Sequence, residues 1–127
     1  MKRIFLPLVA ALILASCGKK EQKPQEQIAV EPSAKSSAEV GQEIFEGKGN
    51  CFACHLPDQT VVGPSIVDIA HIYRQKQGDI VAFLKGDAKP IVDPSQYEVM
   101  KANLELTKAM TNGELKSLEA YIFSTLK

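Results

Sequence analysis

Three neighbouring side chains near the middle of the chain have the types and spacing needed for chemistry. Cys51 and Cys54 are three positions apart, and His55 follows directly. On one helical turn the two thiols would lie on the same side, with the imidazole beside them. This spacing is typical of covalent haem attachment, in which both thiols bond to the porphyrin and the adjacent imidazole binds the iron.

Other uses of two nearby cysteines need partners or surroundings that this sequence does not clearly provide. A zinc site needs four ligands. Beyond Cys51, Cys54 and His55, the remaining cysteine and histidine of the sequence are Cys17 and His71, which do not form a second pair at zinc-finger spacing. A thioredoxin-like redox pair follows a strand in a βαβ unit, and no stretch here alternates as a strand does. A disulfide between these two cysteines would close a very small loop and stabilise the fold little.

The segments around this motif read as short helices, which predicts an all-α fold. Capping residues stand before apolar stripes of helical period, and glycines follow several of them. The four to five predicted helices run from about 37 to 47, from Ser65, from Asp79 to Gly86, after Pro94 and from Thr111 to the end. So few short helices bury little apolar area, and we expect a large apolar cofactor to complete the core.

The segment from Ala38 to Lys127 resembles a bacterial monohaem class I c-type cytochrome. The resemblance extends beyond the Cys-X-X-Cys-His motif. Gly41 and Phe45 resemble the family's GxxxF/Y motif on the N-terminal helix, and Tyr121 resembles the aromatic residue of the C-terminal helix that crosses it. Gly63 and Pro64 resemble the family's GP turn. The resemblance implies a cytochrome c fold around one covalent haem c, with the Pro64 carbonyl accepting the Nδ1 hydrogen of the proximal histidine.

The resemblance also implies a methionine as the second iron ligand, and the sequence offers two candidates. Met110 directly precedes the Thr111 cap, whereas Met100 leaves the loop that the family normally has before its last helix. Asn103 resembles an asparagine that hydrogen-bonds the ligating sulfur in some bacterial members. We therefore favour Met100, although the proline that often follows the family's ligand is missing. His71 lies off the apolar stripe of its helix and is expected to face solvent.

Iron bound by His55 and Met100 would have no vacant position, which points to an electron carrier and not to an enzyme. The axial methionine raises the potential relative to two histidines. The alternative is a gas sensor or peroxidase-like protein in which Met100 is not bound and the sixth position is open. A thiol oxidoreductase would be a third class, without haem.

The N-terminal residues predict export and membrane attachment. Lys2 and Arg3 precede a short apolar run, as in a signal peptide, and the run ends in Leu14-Ala15-Ser16-Cys17, which resembles the lipobox of bacterial lipoproteins. The resemblance implies that Cys17 is lipidated and anchors the chain. Residues 18–37 are rich in Pro, Gln, Lys, Glu and Ser and predict a flexible linker. We expect residues 1–17 to be a lipoprotein signal, 38–127 the folded domain, and the protein to face the periplasm from a membrane of the cell envelope.

The composition argues against nucleic acid as a partner and against a disulfide-dense scaffold, and it is consistent with redox protein partners. The 127 residues contain 15 Lys and Arg against 15 Asp and Glu, so no strong positive field attracts nucleic acid. Three cysteines are too few for a disulfide-dense scaffold. The interspersed charges predict weakly electrostatic, transient docking to redox protein partners, such as a terminal oxidase or reductase.

Overall fold

The computed structural model describes residues 34–126, and in this range the fold is all-α, as predicted. The α-helices are α1 (Ser37–Glu46), α2 (Ile66–Lys76), α3 (Ile80–Lys85), α4 (Tyr97–Lys101), α5 (Leu104–Lys108) and α6 (Asn112–Ser124). Two 3₁₀ turns lie at Cys51–Ala53 and Pro94–Gln96. Within these residues the nearest approach to a strand is an isolated bridge between His55 and Thr60.

The first and last helices begin with the same reciprocal cap. The Ser36 hydroxyl accepts from the Glu39 N–H at 3.3 Å, and the Glu39 carboxylate accepts from the Ser36 N–H at 2.7 Å. Thr111 and Glu114 repeat these bonds at 3.3 and 2.7 Å. Both boxes stand where the sequence predicted a helix to start, and each satisfies backbone donors that a helix start leaves without partners.

The middle helices have simpler caps, which were also predicted from the sequence. Ser65 accepts from the Asp68 N–H at 3.1 Å, and Asp79 accepts from the Ala82 N–H at 2.8 Å. Gly86, at φ 83°, ends α3 in the left-handed conformation that glycine adopts without strain. These caps fix where α2 and α3 start and therefore which side chains face inward.

Helices α1 and α6 cross so closely that only glycine fits at the contact. A Cβ built on Gly41 would lie 1.8 Å from the Ser117 carbonyl oxygen and 2.8 Å from the Tyr121 Cβ. Beside this crossing, the rings of Phe45 and Tyr121 pack at a tilt, with centroids 5.3 Å apart. The predicted roles of Gly41, Phe45 and Tyr121 in the helix crossing are confirmed.

The buried residues come mainly from one face each of α1, α2, α3 and α6. The core cluster comprises Ile44, Phe45, Ile66, Ala70, Tyr73, Ile80, Leu84, Leu115, Leu118 and Ile122. Each face follows the helical spacing on which the helix predictions rested. Several of these side chains also line a cleft, so the core and the candidate site share walls.

The stretch between α4 and α6 differs from the expected loop because it contains the additional short helix α5. Leu104 and Thr107, three positions apart, are both buried on its inner side. The Thr107 hydroxyl donates to the Leu84 carbonyl oxygen at 2.5 Å and so ties α5 to the end of α3. Because this bond joins residues far apart in sequence, local patterns did not predict the helix.

No helix among residues 34–126 is long and apolar enough to cross a membrane. The predicted lipoprotein signal, Cys17 and most of the predicted linker lie outside the described residues. Of the predicted linker's described residues, Ala34 to Ser36 precede α1, whereas Ser37, the last residue of the predicted linker, is the first residue of α1.

Candidate functional site

A large apolar cleft opens between the helices of the domain. The empty space between its walls and out to its open side is about 1030 Å³. The apolar lining includes Phe45, Ile69, Tyr73, Ile80, Phe83 and Leu84. Among the described residues that line it, Asp93 is the one carboxylate. Such walls fit a large, mostly apolar ligand better than a small polar substrate.

Cys51 and Cys54 reach this cleft from the 3₁₀ turn that begins at Cys51. Both side chains line the cleft, and both are free thiols. The chain enters the turn through Asn50, whose φ of 49° lies in the left-handed region that asparagine tolerates. A Cβ on Gly49 would lie 3.1 Å from the Cys51 sulfur, so the turn also depends on the small residue before it.

His55 is held in a defined orientation by Pro64. Its Nδ1 lies 2.8 Å from the Pro64 carbonyl oxygen. Because a carbonyl oxygen only accepts, the hydrogen belongs on Nδ1, and Nε2 keeps its lone pair. A histidine that ligates a metal commonly has its other ring nitrogen bonded in this way.

Gly63 allows the loop after His55 to close tightly against the imidazole. Its N–H donates to the Cys54 carbonyl oxygen at 2.9 Å. A Cβ at this position would lie 2.6 Å from Cε1 and 2.9 Å from Nδ1 of His55. The GP turn therefore packs its glycine against the ring and presents its proline carbonyl to the ring nitrogen.

The two candidate methionines have different surroundings. Met100, in α4, lines the cleft, as does Asn103. Both also line a smaller neighbouring cavity together with His55. Met110 is half-buried against the core and lines neither space. Of the two thioethers, the structure brings that of Met100 to the cleft that His55 and the cysteines share.

His71 is exposed on α2 and does not line the cleft. The sequence-based expectation that it faces solvent is therefore confirmed. Within the described residues, the imidazole that accompanies the two thiols in the cleft is that of His55.

The environment of Cys51 is unlike that of a redox-active thiol. Burial raises its pKa to about 11, an effect to which the nearby Cys54 adds, although a backbone hydrogen bond lowers it. A thiol with such a pKa is protonated near neutral pH, whereas redox-active cysteines have lowered pKa values. The pair also lies on a 3₁₀ turn and not after a strand, so the thiol oxidoreductase hypothesis has no structural support.

An aromatic row forms one wall of the cleft. The ring centroids of Tyr73 and Phe83 lie 6.4 Å apart, and those of Phe83 and Tyr97 lie 6.3 Å apart. Burial, with a smaller effect of the Asp79 charge, raises the pKa of Tyr73 to about 12, so its hydroxyl stays neutral. Tyr73 and Tyr97 thus both belong to the lining of the cleft.

Sequence reasoning missed the wall that the loop before α4 contributes. Pro90, Ile91 and Val92 all line the cleft. The available signal was a short apolar run between the charged residues Lys89 and Asp93. The run is too short to show a period, so it could not be assigned to a helix or a strand.

The chain resembles known proteins over the described domain. A family model described as cytochrome c matches residues 38–126. A relative named cytochrome c-551, from Pseudomonas denitrificans, is 42% identical over 50 residues. This match covers 39% of the present chain and 58% of the relative, so it spans little more than half of the relative's length.

Proposed function

The chain belongs to the cytochrome c family, and we propose that it is a membrane-tethered, periplasmic carrier of single electrons and not an enzyme. Members of this family bind one covalent haem c with its iron. When bound, haem c supplies an iron that takes one electron from a reduced partner and gives it to an oxidised one. The observation that carries the proposal is the large apolar cleft into which two free thiols and an oriented imidazole project together.

The residues of the cleft fit this group. Cys51 and Cys54, which are free and adjacent to the cleft, would form the two thioether bonds. The apolar walls would exclude water from the macrocycle, and the phenol of Tyr73 stays neutral, so it adds no charge there. Covalent attachment would keep the cofactor in a domain whose own core is small.

We further propose that His55 and Met100 are the two iron ligands. The Pro64 carbonyl holds the hydrogen on Nδ1 and leaves Nε2 for the metal. Met100 is supported because it lines the cleft, whereas Met110 does not. Asn103, which lines the same cleft, is the proposed hydrogen-bond donor to the Met100 sulfur.

Ligation by two protein side chains accounts for transport of electrons without catalysis. With both ligands bound, the iron would change its oxidation state with little rearrangement of the ligands. It would also have no open position for a substrate. A gas sensor or peroxidase-like protein would instead leave the position of Met100 open. The two functions therefore differ in one bond, between iron and the Met100 sulfur.

A pair of matched variants tests this ligand set in the haem-loaded full-length chain. Met100→Ala should convert the low-spin iron to high spin and let the ferrous form bind carbon monoxide. Met110→Ala removes the same side chain outside the cleft and should keep the wild-type spectrum. If Met110→Ala gives high-spin iron that binds carbon monoxide and Met100→Ala does not, the proposed ligand is wrong.

We also propose that lipidated Cys17 tethers the domain to a membrane of the cell envelope, on the periplasmic side. The proposal is supported by the lipobox-like sequence and by the apolar run before it. Fully flexible, the linker of residues 18–37 would span about 25 Å, by the usual scaling with chain length. The domain would then meet redox partners close to the membrane surface.

Docking to the donor and to the acceptor is proposed to be transient. From Ala38 onward acidic side chains outnumber basic ones only slightly. Phe52, Val62 and Val99 are exposed apolar residues, and the last two line the cleft. A small, partly apolar contact suits partners that must separate after each electron.

A further inference from the structure

The cleft wall formed by residues 87–93 packs against the core through Ile91 and Val92 but makes few hydrogen bonds to the rest of the domain. It begins after Gly86 and ends at Asp93, and its middle lacks regular secondary structure. Among the described residues, the one hydrogen bond to the backbone of residues 88–92 comes from Lys76 at the end of α2. Its Nζ donates to the Ile91 carbonyl oxygen at 2.7 Å. This bond joins positions 15 residues apart.

The same residue of the wall is also held through its side chain. A Cβ on Gly78 would lie 2.5 Å from Ile91 Cδ1 and 2.8 Å from Tyr73 Cδ1, so Ile91 packs directly onto the end of α2. That end is itself fixed, because the Gly78 N–H donates to the Tyr73 carbonyl oxygen at 2.9 Å. Ile91 is thus held twice, by its carbonyl and by its side chain.

The wall continues directly into the helix that carries Met100. The Asp93 carboxylate accepts from the Ser95 N–H at 3.1 Å and from the Gln96 N–H at 3.3 Å, which fixes the 3₁₀ turn Pro94–Gln96. Helix α4 starts at the next residue. Since the turn and the helix are both short and contiguous, a shift of Ile91 would be passed on to Met100.

We propose that Lys76 is a positioning residue for Met100: by holding Ile91, it keeps the wall and α4 in the place that presents the Met100 sulfur to the cleft. This inference rests on the proposed ligation of the iron by Met100. Lys76 itself does not line the cleft and acts only through Ile91. Loss of its hydrogen bond should make Met100 easier to displace without unfolding the domain.

Displacement of Met100 by added imidazole tests the inference in the haem-loaded full-length protein. Lys76→Met keeps most of the apolar stem and removes the donor, and the affinity of the ferric protein for imidazole should rise roughly three- to tenfold, as expected for loss of one hydrogen bond. Lys76→Arg keeps a donor and should restore affinity close to that of the wild type. Without imidazole, all variants should remain low-spin.

Two further variants separate this contact from general effects. Lys116→Met removes an exposed lysine from α6 and should bind imidazole as the wild type does. Gly78→Ala should raise imidazole affinity through the side-chain contact, because its Cβ would push against both Ile91 and the Tyr73 ring, which line the cleft. Equal imidazole affinity in the wild type and Lys76→Met would overturn the inference, as would an equal rise in Lys116→Met. A wild-type protein that lacks covalent haem or is high-spin would contradict the proposed function, and this inference with it.

Discussion

At the scale of single residues, the imidazole of His55 depends on two residues of the turn that follows it in sequence. Pro64 supplies the carbonyl that fixes the ring's hydrogen, and Gly63 supplies the space in which the ring lies. The proposed iron ligand is His55, and its orientation is set by a turn without any ionisable side chain. Substitution of that turn should damage the site as surely as substitution of the ligand.

A methyl group at Gly63 tests this dependence. In Gly63→Ala the new Cβ would lie within 2.9 Å of two ring atoms of His55, so the ring or the loop must move. We expect the free energy of unfolding to fall by about 1–3 kcal/mol, the usual cost of overpacking, as measured by denaturant titration of the haem protein.

Gly113→Ala is the matched control for this substitution. Its added Cβ would meet only the Thr111 hydroxyl, at 3.9 Å, so stability should stay the same or rise slightly. An equal loss of stability in both variants would show that the contact with His55 is not the cause.

The candidate site residues could be proposed from the sequence because their spacing is local, and their roles stay a prediction. Cys51, Cys54 and His55 lie on one short turn, and the position of Met100 relative to the last helix favoured it over Met110. The bond from Lys76 to the Ile91 carbonyl could not be predicted in the same way. Any exposed lysine can donate, and a backbone acceptor leaves no mark on the sequence.

At the scale of elements, the end of α1 and the start of α6 are joined by a surface ion pair. Lys48, just after α1, forms a salt bridge with Glu114 in the first turn of α6. This bond is the largest cause that lowers the pKa of Glu114 to about 2, with further contributions from the Thr111 N–H and hydroxyl. The capping box and the ion pair therefore share one carboxylate.

The contribution of this carboxylate to stability should change with pH only in acid. Because the pKa of Glu114 is lower in the folded protein than its usual 4.5, its contribution is fully present above that pH and is lost as the pH falls toward 2. Lys48→Met should reduce the acid-side slope of unfolding free energy against pH, as followed by denaturant titrations.

Lys108→Met is the control, because the ion pair between Lys108 and Glu105 lies within α5 and does not connect two helices. The slope in this variant should match that of the wild type. If Lys48→Met has the wild-type slope, Lys48 is not the main cause of the lowered pKa of Glu114.

Helix starts were predicted more reliably than the arrangement around α5. Ser36, Ser65, Asp79 and Thr111 each cap a helix through a bond to a residue three positions on, so the signal is contained in a short window. Helix α5 instead depends on the distant bond from Thr107 to α3. Tertiary contacts of this kind cannot be read from local periodicity.

At the scale of the whole molecule, the domain is organised around its cleft as much as around its core. Tyr73, Ile80 and Leu84 belong both to the buried cluster and to the lining of the cleft. A covalent haem would thus complete the packing and form the redox centre at the same time. The prediction from sequence that the core needs an apolar cofactor agrees with this arrangement.

The proposed membrane attachment depends on residues outside the folded domain and is therefore tested in the full chain. Cys17→Ala removes the proposed acylation site, so the protein should move from the membrane fraction to the soluble periplasmic fraction while keeping its haem. Cell fractionation followed by haem staining measures both. If the variant stays in the membrane fraction, the anchor lies elsewhere in the chain.

The central claim is that His55 and Met100 both bind the haem iron. Optical spectra of the haem-loaded wild-type protein, recorded with and without carbon monoxide, test it most directly. We predict a low-spin ferric spectrum with the weak thioether-to-iron band at the red edge of the visible, and a ferrous spectrum unchanged by carbon monoxide. A high-spin spectrum that shifts with carbon monoxide would contradict the account and indicate gas sensing or peroxide chemistry. Absence of covalent haem would contradict both functions.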